Sequence, residues 1–355
     1  MKKNILDFVT GKRSTPALVN CFFRVCSALW RIVIGARHYA FDKQLFNSVR
    51  VDLPTFSVGN IAIGGTGKTP LVHLLVEALQ DMGNIAILTR GFRSQFEKEK
   101  IPTLISEGSG PLYSVEECGD EPFFLSLRTK ASIWVGRNRR CSARLAKMHG
   151  AECLILDDGM QHRKLARDVE IVTVDGTDPL GGGRLVPAGA LRDLPERLSS
   201  ADLIVATHVR TLAHYEEVKK QLSNYTQAPV VGMEHTLLEP ASIQGRKVGA
   251  FCGIGKPEHF YDLMALHQAQ VIATLSLCDH EAPTEEALLH FAEQCLKLGA
   301  EILVCTEKDA VKLKDNLKLK LPVVPLAVRL EVTAGQEHWE AALIKMKTLM
   351  KKGMT

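Results

Sequence analysis

The stretch "GNIAIGGTGKTP", residues 59–70, decides how the rest of the chain is read. Its second half, GGTGKT, matches the glycine-rich loop that holds nucleotide phosphates. In such a loop main-chain N–H groups wrap the phosphate oxygens, a lysine reaches the β- and γ-phosphates, and a Ser or Thr hydroxyl ligates Mg²⁺. The surroundings fit. PTFSVG before it reads as a buried strand, and after it Leu71, Leu74, Leu75, Ala78, Leu79 and Met82 recur at helical spacing. One position departs: the usual pattern G-x-x-x-x-G-K-[ST] asks for glycine where this chain has Ala62. Gly64 can take the positive-φ turn one or two residues later. A related variant, K-G-G-x-G-K-T, is matched apart from Ile63 at its lysine. Ala62, Ile63, Gly64, Gly65, Thr66, Gly67, Lys68 and Thr69 are therefore the expected nucleotide site. Lys68 is assigned to the outer phosphates, Thr69 to Mg²⁺, and the helix starting near Thr69 adds its positive end.

Working outward, NIAILTRG, ECLILDDG (152–159), VEIVTVDG (169–176) and ADLIVATH (201–208) are apolar runs bounded by polar residues or glycine. Alternating with helical patterns, they predict an α/β chain with a mainly parallel sheet. A phosphate loop also needs acids at the tip of a nearby strand to hold the metal, and Asp157 and Asp158 follow Leu154-Ile155-Leu156. A second strand–helix series starts near residue 247. Between the two series, residues 231–247 lack helical periodicity and carry turn residues, so the domain join is placed there. The expected division is an N-terminal region 1–50, a core domain 51–235 and a smaller α/β domain 236–355.

Composition is that of an ordinary globular protein, with 46% hydrophobic and 24% charged residues. Nine cysteines without a C-x-x-C pair suggest neither a zinc site nor a disulfide framework, and fit a reducing compartment. The net charge of +4 is too small to point to nucleic acid, but it is unevenly placed. Residues 1–50 carry nine Lys and Arg against Asp7 and Asp42, so +7 sits there and −3 in the remainder. Within ALVNCFFRVCSALWRIVIGA (17–36), Asn20, Arg24, Ser27 and Arg31 form one polar stripe on a helix whose other surface is apolar. Two arginines in twenty residues argue against a spanning helix, and no small-residue cleavage site stands out. A basic helix with so wide an apolar face suits the surface of an anionic leaflet.

Residue chemistry alone leaves two functions open: a kinase with an alcohol acceptor, or a nucleotide switch or ATP-driven chaperone with water as acceptor. A kinase needs a positioned carboxylate near the acceptor and cations around the transferring oxygens. ECGDEPFFL (117–125) offers Asp120 and Glu121 just before Pro122 at a helix start. GGGRLVPAGALRDL (181–194) offers Arg184 and Arg192 as phosphate clamps. LCDHEAPTEEA (277–287) places Asp279 and His280 between a strand and a helix.

Taken in order, SVGNIAIGGTGKTP, TRGF, GDEP, DDGMQHRKLARDVEIV, GGGRLVPAGALRD, AFCGIGKPEHF, DH (279–280) and TEKDAVKL resemble the tetraacyldisaccharide 4′-kinase family, the lipid A 4′-kinases. That family does not normally carry glycine at the position of Ala62. The resemblance implies a RecA-like P-loop NTPase domain, a smaller α/β C-terminal domain and an N-terminal amphipathic helix. It implies ATP and Mg²⁺ as cofactors and transfer of the γ-phosphate to the 4′-hydroxyl of a tetraacylated glucosamine disaccharide 1-phosphate, giving lipid IVA. It places the protein at the cytoplasmic face of the inner membrane, with the lipid as partner and no nucleic acid or protein partner. By motif, Asp120 is implied as catalytic base, with His280 of the smaller domain beside it. Lys68 and Arg192 join them as catalytic cations, Thr69, Asp157 and Asp158 lie at Mg²⁺, and Arg90 and Gly91 at the lipid headgroup. Arg139 or Arg140 matches a further family arginine. The chain departs from the family pattern at Glu281, at Met160 where Phe is usual, at Gly182 where Asn is common, and at Asp193 where Glu is common.

Overall fold

The computed structural model of the chain describes residues 17–278, 281–313 and 318–353. The chain forms two compact units, one running to Glu234 and resuming at Val332, the other His235–Glu331. The first begins with α1 (Ala17–Asp42), β1 (Thr55–Asn60), α2 (Lys68–Leu79), β2 (Ile85–Thr89) and β3 (Thr103–Ser106). It continues through α3 (Asp120–Arg128), β4 (Ser132–Val135), α4 (Arg139–Met148), β5 (Cys153–Asp157), β6 (Val169–Asp175), β7 (Leu203–Thr207), α5 (Leu212–Leu222) and β8 (Val230–Leu237). The second holds β9 (Lys247–Cys252), α6 (Pro257–Leu266), β10 (Gln270–Ser276), α7 (Glu285–Lys297), β11 (Ile302–Thr306) and β12 (Val323–Leu326). The chain then returns through β13 (Val328–Ala334) to α8 (Gln336–Gly353).

The nine-stranded sheet has the order β13-β8-β7-β6-β1-β5-β2-β4-β3. From β8 to β4 neighbouring strands pair in parallel, and β3 closes that edge antiparallel to β4. β1, β2, β5, β6 and β7 are buried along their whole length, as continuous apolar runs covered on both faces require. On one side Ala143 and Ala146 of α4 pack against Leu88, Trp134, Leu154 and Leu156. Elsewhere Tyr215, Val218 and Leu222 of α5 pack against Val172, Val174 and Ile204. Strand order reverses at β1, flanked by β5 and β6, and ligands in open parallel sheets bind at the carboxyl ends of strands at such a switch point. Register pairs Val58 with Asp157, which brings the end of β5 level with the loop leaving β1.

The second unit carries a four-stranded parallel sheet, β10-β9-β11-β12. Side chains alternate across it. Val248, Ala250, Ile302 and Val304 face Phe260, Leu263 and Met264 of α6, whereas Phe251, Leu303 and Cys305 share a core with Leu288, Phe291 and Cys295 of α7. The observed division differs from the sequence-based one at the C-terminus. Residues 332–355 group with the first unit, because β13 lies beside β8 and α8 buries Trp339, Met346 and Met350.

Helix α1 faces the protein with a mixed polar and apolar side. Ser27, Ile34, His38 and Phe41 are buried, while Leu18, Phe22, Val25, Leu29, Ile32 and Val33 are more than half exposed. It is long and apolar enough to cross a membrane by length and composition.

Candidate active site

The loop between β1 and α2 turns at two glycines. Gly64 has φ of +102° and Gly67, the residue before α2, has φ of +77°, conformations strained for any side chain. Ala62 is not among the positive-φ residues; it bridges Leu191, and the Ile63 N–H donates to the Ala190 carbonyl at 2.8 Å. The first turn is thus held by the 181–194 segment, and no glycine is required at 62. Ile63, Gly64 and Gly65 are exposed, whereas Thr66 is buried with its hydroxyl turned inward. There the Asn60 amide donates to Thr66 Oγ1 at 2.7 Å, and Thr173 Oγ1 of β6 lies 2.8 Å from it. This side-chain anchoring leaves the main chain of the loop to face outward.

Lys68 Nζ lies 3.6 Å from Asp158 Oδ1. Arg192 grips the same carboxylate with both terminal nitrogens, Nη1 donating to Oδ2 at 2.8 Å and Nη2 to Oδ1. Burial alone would push the Asp158 carboxyl up, but Lys68 and Arg192 outweigh it and hold the group far below the usual carboxylate range. Asp157 behaves in the opposite way. It is buried, accepts one hydrogen bond from Thr89 Oγ1 at 2.9 Å, and is pushed up to about 6 by burial and by the charges of Glu121 and Asp158. One lysine at a helix start, one arginine and two adjacent carboxylates beside a glycine-rich loop form a set of groups suited to phosphoryl transfer. A model of the family LpxK, tetraacyldisaccharide-1-P 4′-kinase, matches residues 19–347. The chain belongs to that family.

Among curated relatives, the tetraacyldisaccharide 4′-kinase of Halothermothrix orenii is 35% identical over 336 residues, 87% of each chain. That of Syntrophus aciditrophicus is 33% identical over 360 residues, 95% of each. Among solved structures, LpxK of Aquifex aeolicus, crystallised in complex with ATP, superposes with a TM-score of 0.70 at 26% identity, covering 95% of this chain and 100% of that one.

The other residues singled out in this tetraacyldisaccharide-1-P 4′-kinase family member are placed as follows. Asp120 begins α3, and its Oδ1 accepts from the Glu121 N–H at 3.0 Å. Of this adjacent pair, Glu121 is the one whose charge raises Asp157; the sequence offers it beside Asp120 as a candidate carboxylate, and the family resemblance assigns the base to Asp120 alone. Arg90 and Arg137 converge on Glu97, with Arg90 Nε at 2.8 Å and Arg137 Nη2 at 3.1 Å. Gly91 follows with φ of +63°, where a Cβ would come within 2.4 Å of Val135 Cγ1 and 2.6 Å of Ser94 Oγ. Arg139 and Arg140 separate clearly. Arg139 is buried beneath the end of β5, donating to the Asp157 carbonyl at 3.3 Å, and burial lowers its guanidinium to about 10. Arg140 is only half-buried. His280 lies outside the described residues. Missed from sequence were Asn60, Thr66 as an inward anchor, and Gln161, whose amide donates to both the Asn60 carbonyl at 2.9 Å and Asp193 Oδ2 at 3.1 Å. No local pattern marks such polar links between distant segments.

Proposed function

We propose that this chain transfers the γ-phosphate of ATP to the 4′-hydroxyl of tetraacyldisaccharide 1-phosphate at the cytoplasmic face of the inner membrane, with Mg²⁺. By family membership it is a kinase of lipid A biosynthesis. The observation that carries the rest is the meeting of Lys68, Asp158, Asp157 and Arg192 at the mouth of the Gly64–Gly67 turn.

In this reading the 62–69 loop cradles the phosphates with its main chain, and Lys68 draws the outer oxygens toward the site. Burial and the nearby charges of Glu121 and Asp158 push Asp157 up to about 6, and the charge crowding is what a divalent cation would relieve, so the donor set fits Mg²⁺, with Thr69, Asp157 and Asp158 as its holders. Held there, Mg²⁺ would supply positive charge to offset that of the transferring phosphoryl group. Arg192 keeps Asp158 ionised and oriented, which makes it an indirect participant while its fork is occupied by that carboxylate. Asp120 orients the sugar hydroxyl and receives its proton late in transfer, with His280 as its partner. Arg90 and Gly91 handle the headgroup, which carries an anionic 1-phosphate suited to guanidinium. The outward apolar face of α1 brings the site to a lipid surface.

Incubation of the purified chain with labelled ATP, Mg²⁺ and the lipid disaccharide monophosphate in mixed micelles is expected to give a bis-phosphorylated lipid. ATP hydrolysis indifferent to the acceptor would instead support the switch. Asp120→Asn is expected to lower kcat about 100-fold or more with nucleotide affinity kept, within the range for removing a general base; turnover near that of the parent would remove Asp120 from this role.

A further inference from the structure

The segment that holds the phosphate loop also ties down the membrane-like helix. Along α1, Ser27 Oγ donates to the Leu185 carbonyl at 2.7 Å and accepts from the Ala188 N–H at 3.0 Å. Four residues later Arg31 pairs with Glu196. Seven residues beyond that, His38 Nε2 meets Asp193 Oδ1 at 2.6 Å, with both side chains buried. On its other side the same segment is stitched to the loop after β1. The Ile63 N–H donates to Ala190, the Arg192 and Asp193 N–H groups donate to Ile61 at 2.8 and 3.1 Å, and the Arg192 fork holds Asp158. One strap of about a dozen residues therefore joins helix and site.

His38–Asp193 is the buried link of this strap. Nε2 of His38 donates to Asp193, while Nδ1 faces Arg163 Nη1 at 3.3 Å and accepts from it. The second oxygen of Asp193 takes the Gln161 amide, which also donates to the Asn60 carbonyl, and the Arg192 guanidinium lies on that same carbonyl at 3.3–3.4 Å. Burial opposes the charge of Asp193, yet the His38 contact and the Leu194 N–H hold its carboxyl below the usual range. An Arg placed one residue before so constrained an Asp has little freedom in its own backbone.

We propose that His38 is a positioning residue for phosphoryl transfer: through Asp193 it fixes the backbone of Arg192, and hence Asp158 and the first turn of the phosphate loop. The helix that presents the apolar face is by this link part of the active-site framework and not a detachable anchor. This rests on the kinase reading above. Loss of the link displaces groups that must be held to a fraction of an ångström, so the effect falls on turnover.

The test uses the full chain with labelled ATP, Mg²⁺ and the lipid disaccharide monophosphate in mixed micelles. His38→Ala is expected to lower kcat about 10–100-fold and the melting temperature by several degrees, with KM for ATP and sedimentation with phosphatidylglycerol–phosphatidylethanolamine vesicles little changed. His38→Gln, whose amide can still donate to Asp193, is expected to recover most of the loss. Hydrogen exchange reads the link without turnover: the amides of Ile63, Arg192 and Asp193 are expected to exchange about tenfold faster in His38→Ala, and the helix α2 amides as before. Unchanged kcat and exchange in His38→Ala would overturn the proposal. So would a joint collapse of turnover, nucleotide binding and melting temperature that Gln does not rescue. A parent chain that phosphorylates no lipid strikes the kinase reading itself, and the exchange result then decides the link separately.

Discussion

Asp157 and Asp158 are neighbours in sequence, yet their surroundings push their carboxyls in opposite directions. Asp158 is held by Lys68 and Arg192, whereas Asp157 is buried against the charges of Glu121 and Asp158 and rises to about 6. Since that value lies above the ordinary one of an aspartate, the folded protein holds this proton more tightly than the unfolded chain between about pH 4 and 6. The contribution of Asp157 to stability is therefore complete below about pH 4 and is lost as pH rises through about 6. Asp157→Asn removes the buried charge. Measured without divalent cation, its melting temperature is expected to exceed that of the parent by a few degrees at pH 7.5, corresponding to about 1–3 kcal/mol, and to converge with it near pH 4.5. Lipid kinase activity is expected to fall steeply in the same variant, a trade of function against stability common at active sites. Thermal melts across pH decide the first half, and an identical pH dependence for both proteins would show the carboxyl to be ordinary. At this scale GGTGKT and DDG were legible, because covalent neighbours supply the pattern. Glu121 was legible only as a candidate carboxylate beside Asp120, and Asn60 not at all, since their effect on Asp157 and Thr66 comes from contacts between separate segments.

Helix α1 shows what pattern can and cannot convey about an element. The polar stripe of Asn20, Arg24, Ser27 and Arg31 is a local fact, and the structure divides it. Ser27 is buried in hydrogen bonds to the 185–188 backbone, Arg31 pairs with Glu196 at the surface, and Arg24 is exposed. Periodicity revealed the apolar face, but not that Ser27, Ile34, His38 and Phe41 would form the protein's own interface, because Ser27 and His38 meet partners more than 150 residues away in sequence. The apolar face adds little to folding: Phe22 is 63% and Ile32 68% exposed. Surface substitutions of this kind change stability by about 0.5 kcal/mol or less. The double variant Phe22→Glu, Ile32→Glu is thus expected to melt within about a degree or two of the parent. On anionic vesicles it is expected to lose most of its binding, since two exposed apolar groups are replaced by negative charges that the anionic leaflet repels. Vesicle sedimentation beside a thermal melt separates the two effects. Retained binding would assign lipid contact to another surface.

The whole molecule is organised around a chain that leaves the first unit after Glu234 and comes back at Val332. The parallel sheet of that unit was legible, since fully buried strands read as apolar runs bounded by glycine and acids. The return of the C-terminus was not, since an amphipathic helix announces that it will pack but not against what. Its consequence is testable. α8 buries Trp339, Met346 and Met350, and full burial of side chains of this kind stabilises by about 1.5–3 kcal/mol each. Losing them together with Val332, Thr333 and Ala334 at the end of β13 removes a large share of a total that is typically about 5–15 kcal/mol. Deleting residues 332–355 is therefore expected to abolish cooperative unfolding and leave an aggregating chain. By contrast, the Leu238 N–H lies 3.0 Å from the Ala327 carbonyl, so the ends of the intervening segment sit side by side. Replacing 239–326 with a short Gly-Ser linker is expected to leave a first unit that melts cooperatively and is protected by ATP with Mg²⁺, although it makes no phosphorylated lipid. If the C-terminal deletion melts as cooperatively as the full chain while the linker variant does not, the first unit draws its stability from the intervening segment and not from the terminal helix.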